Sequence, residues 1–213
     1  MKDEVSGEYF FAKPSTGLRF ILPPSSFPRV PLAVPYWSTA TYREIFPGVL
    51  SGNVTDGAEL GKLHSLIADT IKVENIFLCG SGSLALELAL HACRVRRGDE
   101  VVLPAFCCSA VVPPISAVGA TPVLADVGDE LNVTVETVAA ALTHKTRAIL
   151  VAHLFGNPAD IKPIVELARS KNIRVIDDAA QALGATIDGQ PAGSFGAAGV
   201  VSFGNQKICA GIG

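Results

Sequence analysis

From residue 75 onward, short apolar runs alternate with segments of helical periodicity, and this alternation limits the architecture more than any other feature of the chain. Strand-like runs occupy 76–79, 100–103, 121–125, 147–152, 173–177 and 198–203. Between them Val135, Val138, Ala139 and Leu142 repeat at helical spacing, as do Ile161, Ile164, Val165 and Ala168. Strands joined by crossover helices predict an α/β fold: a mainly parallel central sheet with helices on both faces. Strands of such a sheet are buried on both sides and read as unbroken apolar runs. The 49% hydrophobic and 17% charged content, with a mean hydropathy of +0.39, agree with that burial. Ligands of such sheets sit beyond the carboxyl ends of the strands.

Upstream the pattern changes. Prolines at 14, 23, 24, 28, 31, 35 and 47 fix φ and remove backbone donors, which predicts an irregular arm over 1–47 and a domain over 48–213. Glycines at 48, 52 and 57 make 48–60 read as a loop, whereas Leu63, Leu66, Ile67 and Ile71 share one face of a helix over 61–72. The chain stops at Gly211-Ile212-Gly213 without a closing helix, which reads as a truncation.

Several function classes are disfavoured. No run of about 18 apolar residues suggests a membrane span, and Met1-Lys-Asp-Glu-Val5 does not open a signal peptide. A net charge of −3 and a pI near 5.8 leave no electrostatic footprint for nucleic acid. Cys79, Cys93, Cys107, Cys108 and Cys209 are odd in number and scattered, as expected of reduced thiols in a cytoplasmic protein. Their spacing offers no zinc site or other metal site. The adjacent Cys107 and Cys108 read as core packing.

Three features fall at or near strand ends. Gly80-Ser81-Gly82-Ser83 joins a strand to an apolar helix running from Leu84 to about Val95, and free amides at a helix N-terminus attract phosphate. The same residues match the dinucleotide fingerprint G-x-G-x-x-A, but the second strand ends in Leu103-Pro104-Ala105-Phe106, with no acid for a ribose. Glycines that merely ease packing are the bland alternative. Asp177 and Asp178 end another strand and must point to opposite faces, so one of them addresses a given site; a solvated strand end is the alternative there. Lys207 follows the apolar Val200-Val201-Ser202-Phe203, and Ser202 adds a hydroxyl to the same loop. A phosphate cradle, a strand-end acid and a late lysine are the parts needed to hold pyridoxal phosphate and carry out amine chemistry. His153, at a further strand end, reads as a satisfied structural histidine before a proton shuttle.

These stretches resemble the DegT/StrS-type family of pyridoxal-phosphate sugar aminotransferases, a fold-type-I group. The resemblance covers roughly 48–213. It is carried by Gly82-Ser83-Leu84-Ala85-Leu86, by Arg97-Gly98-Asp99-Glu100-Val101-Val102-Leu103-Pro104, by Val151 to Asp160, by Asp178-Ala179-Ala180-Gln181, and by Ser202 with Lys207. It implies that Asp178 pairs with the ring nitrogen, that Gln181 lies near the ring hydroxyl, and that Ser83 and Ser202 hold the phosphate within the Gly82–Leu84 turn. Lys207 is then the covalent attachment point and the proton carrier. The implied donor is an amino acid, commonly glutamate, and the implied acceptor a keto-sugar nucleotide; the implied assembly is a homodimer. Family dehydratases carry histidine in place of this lysine, so Lys207 favours transamination. Where the family places an aromatic over the ring this chain has Cys108, with Phe106 two residues earlier as a substitute. The family also continues into a small domain beyond position 213. Two other readings remain open: a non-catalytic remnant or dimerising scaffold, and another fold-type-I enzyme such as a lyase.

Overall fold

The computed structural model describes residues 39–51, 58–204 and 207. Helices α1 (Thr39–Ser51), α2 (Ala58–Ile71) and α3 (Gly82–Ala92) come first. The alternating part follows as β1 (Glu100–Pro104), α4 (Val112–Ala117), β2 (Thr121–Ala125), α5 (Val135–Ala141), β3 (Thr146–Ala152), α6 (Ile161–Ser170) and β4 (Arg174–Asp178). A two-stranded hairpin, β5 (Thr186–Ile187) with β6 (Gln190–Pro191), precedes β7 (Ala198–Val200).

The main sheet has the order β2-β1-β3-β4-β7, and every pairing in it is parallel. From β1 the chain passes to β2 on one side and then returns across β1 to β3. A parallel sheet has its ligand crevice where the order reverses in this way, at the carboxyl ends.

Alternation along the strands builds a core on each face. Val101, Leu103, Ala148, Leu150, Ala152, Ile176 and Val200 face α3 and α4, joined by Leu86, Leu90 and Ile115. Val102, Ile149, Val151 and Val175 face the other way, against Val138 of α5 and Ile161, Ile164 and Ala168 of α6. Side chains of successive residues leave opposite faces, so a strand covered on both sides has no polar register. That is why β3 reads Ala-Ile-Leu-Val-Ala without a break.

Four expectations change. Residues 76–79 pair with no strand among the described residues, and Phe77 there is 85% exposed. Helix α1 runs through Pro47 and Gly48, so residues 39–47 are not irregular and 48–51 are not loop; residues 1–38 and 52–57 lie outside the described ones. Strand β7 ends at Val200 and does not reach 203. Beyond these four, helix α4, on which the sequence reading is silent, accommodates Pro113 and Pro114, because prolines in a first helical turn remove only amides that have no intrahelical partner.

Candidate active site

One cleft at the carboxyl edge gathers residues from five strand or helix ends. Gly82 and Ser83 open α3; Cys108 follows β1; Ala152, His153 and Leu154 end β3. Asp178, Ala180 and Gln181 end β4, and Ser202 and Lys207 follow β7. The cleft holds about 160 Å³, below the roughly 300 Å³ at which small-molecule pockets begin. The described residues therefore supply a floor and walls without enclosing a ligand.

The phosphate-sized end is built by α3. Ser81 is its N-cap in extended conformation, and its hydroxyl accepts the Leu84 amide at 3.1 Å. The Gly82 and Ser83 amides fall in the first turn, where a helix offers no carbonyl to meet them. Ser202 closes this end from above: a Cβ on Gly82 would lie 3.2 Å from its Oγ. Leu84 does not line the cleft; its amide is committed to Ser81 and its side chain is exposed.

The acid pair divides as strand geometry requires. Asp178 faces the cleft and is 8% exposed; its Oδ1 accepts the Ala180 amide at 3.0 Å. Burial raises its pKa above the ordinary carboxylate value, opposed by the Ala180 amide and the nearby Lys207 amine. Asp177 points away, wholly buried. Its Oδ1 accepts from His153 Nε2 at 2.7 Å, and its Oδ2 from the amides of Gly193 at 2.8 Å and Phe195 at 3.0 Å. Neither aspartate is a solvated strand end.

His153 has both ring nitrogens engaged, since Nδ1 accepts the Ala159 amide at 2.9 Å. A nitrogen that accepts carries no proton, so the ring is neutral with its proton on Nε2. It is a satisfied histidine, and it also lines the cleft beside Asp178.

The cysteine pair splits. Cys107 packs against the α3-side core, its thiol reaching the Pro104 carbonyl at 3.3 Å, and burial, then the Asp178 charge, push its pKa up. Cys108 is exposed and lines the cleft, so core packing describes one of the two. Phe106 does not line the cleft. Its ring leans on Phe155, with centroids 6.4 Å apart and planes tilted by 49°.

Of the residues singled out in the sequence, Gly82, Ser83, Cys108, Asp178, Gln181, Ser202 and Lys207 come together here; Leu84 and Phe106 do not. Sequence reasoning missed Ala180 and Leu154 as walls. The small residues after the acid pair were the available signal for Ala180, because only a short side chain leaves room beside a strand-end carboxylate.

The DegT/DnrJ/EryC1/StrS aminotransferase family profile matches residues 42–213. Among curated relatives, a UDP-N-acetyl-3-dehydro-α-D-glucosamine 3-aminotransferase of Acidithiobacillus ferrooxidans is 42% identical over 167 residues, covering 75% of this chain and 45% of that protein. Among solved structures, an aminotransferase from Streptoalloteichus hindustanus superposes with a TM-score of 0.80 at 30% identity, covering 85% of this chain and 50% of that one. A GDP-4-keto-6-deoxymannose-3-dehydratase with a trapped PLP-glutamate geminal diamine superposes at 0.77 with 29% identity, covering 84% of this chain and 48% of that one. The chain thus spans about half the length of the relatives it matches, and its parallel sheet is that of fold-type-I aminotransferases. With the profile covering most of its residues, this chain belongs to the DegT/DnrJ/EryC1/StrS aminotransferase family.

Proposed function

We propose that the chain forms the cofactor-binding part of a pyridoxal-phosphate aminotransferase. It takes an amino group from an amino acid, with glutamate as donor, and delivers it to a keto-sugar carried on a nucleotide. One observation carries the reading: two first-turn amides, a buried strand-end carboxylate, a hydroxyl and a lysine, far apart in sequence, line a single cleft.

The residues fit the cofactor. A side chain at Gly82 would crowd Ser202, so that corner takes a phosphate against bare backbone. Asp178, buried at the cleft, offers a carboxylate for a protonated ring nitrogen. When bound, pyridoxal phosphate supplies the electron sink that stabilises negative charge beside the transferred nitrogen. Gly82, Ser83 and Ser202 anchor the phosphate, and Asp178 holds the ring-nitrogen proton. Gln181 orients the ring hydroxyl. Lys207 presents Nζ as the attachment point and, once free, carries a proton to and from the substrate carbon at that atom. The relatives' substrates, a UDP-sugar in one and a GDP-sugar in another, support the acceptor class, and Lys207 supports transamination over dehydration.

The same reading makes the protein a cytoplasmic homodimer. Exposed apolar side chains at Phe77, Leu84, Leu88, Phe106 and Phe155 favour a partner. The four described cysteines are all free thiols, as a reducing compartment keeps them. Among the described residues, no helix is long and apolar enough to cross a membrane.

A second reading has a specific observation behind it. The chain matches 45% of its curated relative and leaves the cleft open, which favours cofactor binding without turnover by this chain alone. Incubation with pyridoxal phosphate, borohydride reduction and peptide mass mapping test the first step; a label on Lys207 is the expected result, and its absence sinks the reading. Conversion of bound cofactor by glutamate, followed by a comparison of keto-sugar nucleotides with simple keto acids as acceptors, separates an aminotransferase from a lyase and from a scaffold.

A further inference from the structure

Asp177 is a fully buried carboxylate held by three neutral donors, and among the described residues no lysine or arginine pairs with it. Burying a charge costs several kcal/mol unless its hydrogen bonds are complete. Apolar side chains would join β3, β4 and the 193–195 loop without that cost. The location of the network suggests what it serves. The His153 amide donates to the Asp178 carbonyl at 3.0 Å, while the His153 ring donates to the Asp177 carboxylate at 2.7 Å. One residue therefore grips both members of the acid pair, one through its side chain and the next through its peptide.

We infer that His153 and Asp177 act as a positioning pair, their hydrogen bond setting the direction in which Asp178 presents its carboxylate to the cleft. Adjacent strand residues point to opposite faces, so an anchored Asp177 side chain fixes the rotation of the peptide it shares with Asp178. The Ala159 amide completes the device by occupying Nδ1, which leaves the ring proton on Nε2, where it faces Asp177. The importance of the pair for catalysis rests on the cofactor reading above. There, a misplacement of about 1 Å between reacting groups can cost about a hundredfold in rate.

Two substitutions separate the two ties of the ring. His153→Gln places an amide nitrogen near the position of Nε2 and keeps a donor for Asp177. His153→Asn places its amide near Nδ1, keeps a partner for Ala159 and abandons Asp177. The readout needs no cofactor: amide hydrogen exchange of Ala180, whose N–H is held by Asp178 Oδ1, measured by NMR against the core amides of Ile149 and Leu150. We expect Ala180 to exchange about tenfold faster in His153→Asn while the core amides stay unchanged, and His153→Gln to remain near wild type. Should Ala180 and the core amides accelerate together, or should Asn leave Ala180 unchanged, the pair is structural only and the inference is overturned. If the Asn variant does not fold, Asp177→Asn is read in the same way, because it keeps an oxygen for Gly193 and Phe195 and loses the acceptor for His153. With pyridoxal phosphate added, the pH midpoint of the bound chromophore should move in the Asn variant and not in the Gln variant. A wild-type chain that binds no cofactor sinks the aminotransferase reading, while the Ala180 measurement still decides the positioning pair.

Discussion

Ser202 stands so close over Gly82 that a single methyl group on the glycine would reach within 3.2 Å of the serine hydroxyl. The contact joins the start of α3 to the loop after β7, and it leaves a corner floored by backbone alone. Gly82→Ala should weaken pyridoxal phosphate binding about tenfold, since the methyl group takes space the phosphate needs. The serine side chain can rotate away, so stability should change by less than about 1 kcal/mol. Fluorescence titration and thermal melting check the two parts.

Lys207→Ala should abolish the borohydride-trapped label and the glutamate half-reaction. Lys207 is partly exposed, and substitutions at such positions usually change stability by no more than about 0.5 kcal/mol. A variant that still acquires a label at another lysine would refute the assignment of Nζ.

Asp178 has a folded-state pKa raised above its unfolded value of 3.8, with burial as the main cause. Its contribution to stability is therefore fully present below the unfolded pKa and is lost as pH rises through the folded pKa. Asp178→Asn keeps an oxygen for the Ala180 amide and removes the buried charge. The cofactor-free variant should melt higher than wild type at pH 7, and that gain should shrink on approach to pH 4. Cofactor-dependent activity should fall all the same, because the ring nitrogen loses its anion.

Asp177→Ala strips the partner from one imidazole N–H and two amides at a site of zero exposure. A loss of roughly 3–5 kcal/mol is expected, as for breaking a buried charged network. Urea unfolding measures it, and a loss below about 1 kcal/mol would mean water reaches the network.

Cys108 lines the cleft, at the position where the family resemblance implies an aromatic over the ring. Cys108→Phe should tighten pyridoxal phosphate binding about three- to tenfold, the equivalent of one aromatic stack of about 0.5–1.5 kcal/mol. Equilibrium dialysis checks the direction.

Much of this was legible in the residues. Apolar runs located β1 to β4, because a sheet covered on both sides leaves a continuous signature. The acid pair divides on strand geometry alone, which allows one cleft-facing member. The failures have physical reasons. Ile76 to Cys79 has strand composition but no neighbouring ladder among the described residues, and composition does not supply a pairing partner. Phe106 has the right chemistry for a ring stack, but its position directs it to Phe155, a non-local neighbour that no local pattern announces. The β5–β6 hairpin had a local signal that went unread: Asp188-Gly189, both at positive φ, as a tight two-residue turn requires.

Lys207 comes later in the chain than every other described residue lining the cleft. During synthesis the glycine-serine turn, the β3 and β4 ends and the paired aspartates all leave the ribosome before it, so β1 to β4 can assemble before this lysine emerges. Vitamin capture would then be a step taken by a nascent chain already folded. Ribosome-bound chains arrested before this lysine emerges should resist protease over β1–β4 while remaining unlabelled.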